Sequence, residues 1–137
     1  MSFNPKDYGI PLGFRHWHGD TAEDTLGPFF FKVDGDVIQT AFRVDARHCN
    51  AHDSLHGGVM MAFSDYTLCL SANGGAEESV ATVSCNNEFT APAYEGDLVL
   101  GKSEAVKRGR SLVFSRAELT VDDKIILISS AVIKLLK

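Results

Sequence analysis

Residues Asn50 to Asp65 read N-A-H-D-S-L-H-G-G-V-M-M-A-F-S-D, and they gather the groups a carbonyl carbon would need around it. His56, Gly57 and Gly58 open a long apolar run that reads as a helix. The first turn of a helix carries unpaired N–H groups and a partial positive charge, which suits it to a developing oxyanion. Glycine there lets a substrate come close to the backbone. Two turns further on, Asp65 would share a helical face with Met61, Ala62, Leu68 and Cys69. An ionised carboxylate in that company is costly unless donors or a polar cavity receive it. The plainer alternative puts Asp65 on an exposed stripe with Ser64, Ser71 and Asn73; the apolar surround and the Gly-Gly start favour a working acid. An acid and such donors together would transfer an acyl group to water.

Spacing adds a constraint. Gly57 and Asp65 are eight residues apart, so on one helix they stand roughly 12 Å from each other. They cannot meet the same carbonyl carbon within one chain. A two-fold dimer with antiparallel helices side by side would bring Gly57 of one subunit to Asp65 of the other, twice. We therefore expect an obligate homodimer with two sites at its interface.

The elements that must hold these residues are legible in outline. The helix should run from Gly57 to about Asn73 and stop at Gly74-Gly75. Phe29–Val33 and Val37–Val44 read as strands joined by Asp34-Gly35-Asp36. Polar Asp45–Leu55 reads as a loop. After the helix, Val80–Phe89 alternates, with Val80, Thr82 and Ser84 on one side and Ala81, Val83 and Cys85 on the other. Leu98–Lys107 and Leu112–Val121 flank a K-R-G-R turn at Lys107–Arg110. Asp122-Asp123 then turns the chain into Ile125–Leu136, whose nearly unbroken apolar run suits a strand buried on both faces. Residues 1–26 form an arm without clear period, with a short helix Thr21–Leu26 capped by Asp20. Residues 27–137 form one α+β domain: a hairpin, the helix, then four consecutive antiparallel strands. The helix is apolar around most of its circumference, so a sheet curled around it should enclose it.

Composition narrows the function. A net charge of −5 disfavours nucleic acid as a partner, since phosphate binding needs a basic surface. The chain has 137 residues, 45% of them hydrophobic and 23% charged, which suits one soluble domain. Three cysteines (Cys49, Cys69, Cys85) in no paired spacing read as reduced apolar fillers. The start lacks a secretion signal, and the longest apolar stretch, Ile125–Leu136, is broken by Ser129, Ser130 and Lys134. No membrane partner is expected, and the compartment is cytoplasmic by default. His48, His52 and His56 recur every fourth residue, which on a helix would suggest zinc. That segment carries little helical pattern, so we expect no metal, and no cofactor. Ser84 and Ser111 have no histidine base in a nucleophile motif. Lys107, Arg108 and Arg110, taken alone, read as a solvated hairpin turn.

With these residues in view, the order Asn50, His56-Gly57-Gly58, Asp65, then strands resembles the hotdog-fold acyl-CoA thioesterases of the phenylacetate-degradation (PaaI-like) branch, over roughly residues 27–137. The resemblance implies an antiparallel sheet wrapped around a central helix, in homodimers that often pair into tetramers. It implies that Gly57, beside Gly58, donates its N–H to the thioester oxygen. Asp65 of the opposite subunit would be general base or nucleophile. His56 and Asn50 would orient the loop and the thioester, and Thr82 would help place the water. The Lys107, Arg108 and Arg110 turn would lie near the coenzyme A phosphates. One departure stands out: the family commonly has glycine midway between the Asn and the His, where this chain has Asp53, a residue that tolerates left-handed backbone. Two other readings remain: a hydratase or dehydratase of the same fold, using a histidine base, and a non-catalytic acyl-CoA-binding protein. The acyl group is not readable from the sequence.

Overall fold

The computed structural model describes residues 3–136. Its strands are β1 (Arg15–His16), β2 (Phe30–Asp34), β3 (Val37–Arg43), β4 (Val80–Phe89), β5 (Leu98–Arg108), β6 (Leu112–Val121) and β7 (Lys124–Leu135). Its helices are α1 (Thr21–Leu26) and α2 (Gly57–Asn73). All seven strands form one antiparallel sheet in the order β1-β2-β3-β5-β6-β7-β4, with α2 packed along its concave face. This is the hotdog arrangement.

Local chemistry explains most boundaries. Gly35 at φ 63° turns β2 into β3, so that Asp34 pairs with Val37. Asp122 and Asp123, at φ 49° and 67°, make the tight turn into β7. Gly74 at φ 65° caps the C-terminus of α2, donating its N–H to Leu70 O. Asp20 caps α1 by accepting from Glu23 N–H at 3.0 Å.

Four expectations change. Of the strands after α2, β5, β6 and β7 are neighbours in chain order, but β4 crosses to the far edge and, among the described residues, pairs only with β7. Hydrophobic alternation fixes which face a strand buries but not which strand lies beside it. β7 is not buried on both faces; Leu127, Ser129, Ala131 and Ile133 turn inward while Ile128, Ser130 and Lys134 are exposed. The arm is more ordered than its lack of period suggests. It adds β1 to the sheet, and Ile10, Tyr8 and Phe14 cover Phe30 and Ala41 on the convex face. Arg43 staples it there through the Tyr8, Gly9 and Gly96 carbonyls at 3.0, 2.8 and 2.9 Å. Finally, α2 is not enclosed: Gly58, Met61, Asp65, Cys69 and Asn73 form a stripe left wholly or partly open.

The covered side of α2 meets two kinds of core. Toward its N-terminus, Phe63 and Tyr66 join Phe29 and Phe42 in an aromatic nucleus, with Phe42 and Phe63 centroids 4.7 Å apart. Toward its C-terminus, Leu68 and Ala72 lie on small residues, Ala117 and Ala131 among them. Between these runs a buried polar seam. Thr67 Oγ1 and Thr40 Oγ1 are 2.8 Å apart, Ser103 Oγ donates to Thr67 O at 2.7 Å, and Ser71 Oγ donates to Ser115 Oγ at 2.9 Å. Directional bonds of this kind hold α2 in one axial register over the sheet. Gly101 permits the close approach, since a Cβ there would come within 2.2 Å of Thr40 Oγ1.

Candidate active site

The loop before α2 is built around Asn50. Its Oδ1 accepts from His52 N, Ser54 N and Ser54 Oγ at 2.9, 3.2 and 3.2 Å, which closes a tight Asx-type turn. Asp53 sits in that turn at φ 60°, so aspartate does adopt the left-handed conformation there. The three histidines of the loop diverge. His48 is buried, its Nδ1 accepting from Asp45 N at 2.9 Å, while His52 is exposed. His56 caps α2, its Nδ1 accepting the Gly58 N–H at 2.8 Å.

That cap decides which donor is open. Gly58 N–H is taken by His56 Nδ1, and Val59 and Met60 N–H by His56 O at 3.0 and 3.1 Å. Among the described residues, Gly57 N–H is the first-turn donor without an acceptor. Gly58 N–H is therefore not free for a substrate, and a Cβ on Gly58 would stand 2.9 Å from His56 Nδ1. Gly57 faces the ring of Phe89, the last residue of β4.

Asp65 lies further along the same open stripe, half-buried, with its Oδ1 receiving the Thr82 hydroxyl at 2.5 Å. Thr82 reaches it because β4 carries a bulge at Val83: Thr82 pairs with Ile133 and Ser84 with Val132. The extra residue switches the strand's parity. Val80 and Thr82 face α2 before it, and Cys85 and Asn87 turn inward after it, whereas simple alternation sets Cys85 opposite to Thr82. Cys69, one turn beyond Asp65, is more than an apolar filler. Its Sγ lies 3.3 Å from Thr82 Oγ1 and 3.8 Å from Asp65 Oδ1. Burial and the Asp65 charge push its thiol up to about 12, so it stays protonated and can donate weakly to that carboxylate.

Beside Asp65 the surface opens into a cleft of about 460 Å³, lined among others by Trp17, Asp20, Glu23, Tyr66 and Thr82. Among the described residues no Lys, Arg or His lines it. Asp65 and Cys69 could be paired from sequence by their i, i+4 spacing. Trp17 and Glu23 gave no such signal, because they arrive from the arm.

The basic turn is divided. Arg108 donates Nη1 to Ala72 O and Nη2 to Ser71 O, both at 2.7 Å, and so caps the C-terminus of α2. Lys107 and Arg110 are exposed. Arg108→Ala should lower the free energy of unfolding by about 1.5–3 kcal/mol, the usual worth of charge-assisted hydrogen bonds, read from urea denaturation.

Comparison with known proteins bears on the family and the fold. The family model described as the Thioesterase superfamily matches residues 52–127. A Pseudomonas aeruginosa protein named "Putative esterase" is 27% identical over 130 residues, 92% of this chain and 97% of that protein. The acyl-coenzyme A thioesterase PaaI of Escherichia coli is 23% identical over 94 residues, 69% of this chain and 66% of that enzyme. Among solved structures, a mutant of the phenylacetic acid degradation protein PaaI from Thermus thermophilus superposes with a TM-score of 0.77 at 22% identity, covering 85% of this chain and 100% of that one.

Proposed function

The chain belongs to the thioesterase superfamily and is a thioester hydrolase, and we propose that its substrates are acyl-CoA thioesters, cleaved at sites shared between two copies. What carries this reading is the open stripe of α2. The stripe carries one half-buried carboxylate, Asp65, and the first turn of the same helix carries one backbone donor without an acceptor among the described residues, Gly57 N–H. Eight residues of helix keep them roughly 12 Å apart within a chain. A second copy, its α2 antiparallel to the first, supplies the missing partner twice. β4 favours such a contact: among the described residues its outer edge has no strand beside it, Val83 and Phe89 on it are 60% and 50% exposed, and Met61 of α2 is 45% exposed.

The chemistry then runs as follows. The thioester oxygen accepts Gly57 N–H from one protomer. Asp65 of the other removes a proton from a water, which attacks the carbonyl carbon. The tetrahedral oxyanion is held by the same N–H at the positive end of α2. It collapses, the C–S bond breaks, and the proton on Asp65 passes to the departing sulfur, leaving a carboxylic acid and free coenzyme A. Thr82, bonded to Oδ1, turns Oδ2 toward the water. Asn50, whose Oδ1 is taken up by the loop, offers its amide N–H to the thioester end. His56 fixes the loop by holding Gly58 N–H. A histidine-based hydratase fits less well, because His56 Nδ1 is already committed.

Hydrolysis of a panel of aryl, short-chain and long-chain acyl-CoAs tests the proposal; binding without turnover on every member would make the protein a sensor instead. Lys107 and Arg110, on the exposed turn, are assigned to the coenzyme A phosphates. Replacing both by alanine should raise KM for the preferred acyl-CoA about tenfold and leave kcat near wild type, as removal of uniform binding does. An unchanged KM would return the turn to a solvated hairpin. Among the described residues no helix is long and apolar enough to cross a membrane.

A further inference from the structure

We infer that Glu23 of the N-terminal arm is a positioning residue of the same site, turning its carboxyl onto the acyl end of the cleft beside Asp65. This rests on the assignment of Asp65 and Gly57 to thioester hydrolysis.

The first support is placement. Glu23 lines the cleft with Asp65, Trp17 and Tyr66, and among the described residues no basic one lines it. The phosphates of coenzyme A are repelled from such a space, so the acyl group, not the nucleotide, is what enters it. The second support is rigidity. α1 has six residues and buries none of them, yet three separate anchors fix it. Asp20 caps its first turn. Asp24 Oδ1 lies 2.6 Å from the buried His16 Nε2. Arg47 reaches the Thr25 carbonyl at 2.6 Å, and the Gly27 carbonyl with its other nitrogen. A helix with so little hydrophobic contribution has its orientation set by these polar ties, and that orientation turns Glu23 onto α2.

The third support is an orphaned group below. Tyr66 Oη is buried and has no hydrogen-bond partner among the described residues, while Glu23 and Asp24 are the charges that, after burial, most hold its proton on. A buried hydroxyl without a partner is costly, and since Tyr66 lines the same cleft, a polar atom of a ligand entering beside Glu23 would find that O–H free to donate.

Among the described residues the charged groups acting on Glu23 are acidic: Asp20 at the cap of α1, Asp24 on α1 and Asp65 on α2, with Glu77 and Glu78 from the loop after α2 on the same cleft. The basic side chains that tie α1 down, His16 and Arg47, are committed to Asp24 and to the Thr25 and Gly27 carbonyls. Burial first, then the Asp20 charge and a side-chain hydrogen bond with Asp20, then Asp65 and Asp24, raise the Glu23 carboxyl to about 8. It therefore carries its proton at neutral pH. The folded protein holds that proton where the unfolded chain, at the ordinary 4.5, has released it, so stability declines as pH rises from about 4.5 to about 8.

The test is the pH profile of kcat/KM on the best acyl-CoA of the panel, with thermal melts at each pH. Wild type should lose activity above about pH 8, approaching tenfold per pH unit as Glu23 ionises. Glu23→Gln keeps a neutral donor and should flatten that limb while retaining neutral-pH activity; Glu23→Ala should be slower throughout. Asp20→Asn preserves the α1 cap but removes the charge nearest Glu23, so its alkaline inflection should move to lower pH. A purely structural Glu23 would change the melts and leave the inflection where it was. Coincident wild-type and Gln profiles, or an Asp20→Asn inflection that does not move, would overturn the inference while leaving thioester cleavage intact. A wild type inactive on every acyl-CoA would overturn both.

Discussion

Asp65→Asn is expected to lower kcat on an acyl-CoA substrate by about 10²–10⁴, the range a positioned general base contributes, with KM little changed. Asparagine has nearly the same shape, and its Oδ1 can still accept the Thr82 hydroxyl that reaches Asp65 at 2.5 Å. The fold should therefore survive, and the loss should lie in the chemical step. Steady-state kinetics with circular dichroism on the same sample check this. Single-turnover hydrolysis in heavy-oxygen water separates the two routes open to a carboxylate. Label in the product acid but not in Asp65 is the result expected of a base; label in Asp65 would mean direct attack through a mixed anhydride. A fully active Asn variant would remove Asp65 from the mechanism.

Gly57→Pro is the complementary experiment. Proline at the first helical position is well tolerated, and His56, at φ −62° and ψ 131°, already has the extended backbone that a following proline requires. The substitution deletes one N–H and little else, although the Phe89 ring, 3.3 Å from a Cβ at this position, must give slightly. Loss of an oxyanion donor should reduce kcat by about 10²–10³. The stronger result comes from mixing this variant with Asp65→Asn after subunit exchange. Half the dimers are then mixed, and each has one site with both native groups, so activity should recover to about a quarter of wild type. A mixture as inactive as its components would mean that the donor and the acid do not belong to different chains.

How much of this could be read from the sequence depends on the range of the interactions. α2 runs from Gly57 to Asn73, as its apolar run and its flanking glycines indicate, because start and stop signals act over a turn. The Gly35 turn, the Asp122-Asp123 turn and the left-handed Asp53 are local in the same sense. The path of β4 to the far edge was not readable, since alternation in Val80–Phe89 is the same whichever strand lies beside it. Arg108 looked like one of three equivalent cations on a turn, and only the packing of β5 against α2 reveals that it caps Ser71 and Ala72. Glu23 stands forty-two positions before Asp65 in the chain, with no periodicity linking them; the folded arm alone sets them on one cleft.

The bulge at Val83 has a consequence for how this chain can vary. One supernumerary residue lets the same strand aim Thr82 at the carboxylate and end with Phe89 against the helix start. Side-chain replacements along β4 leave that bookkeeping untouched, whereas losing or gaining a single codon between the two contacts would present the wrong side of the strand at one end. Divergence here should proceed by substitution at constant length, with indels confined to the turns beyond each end.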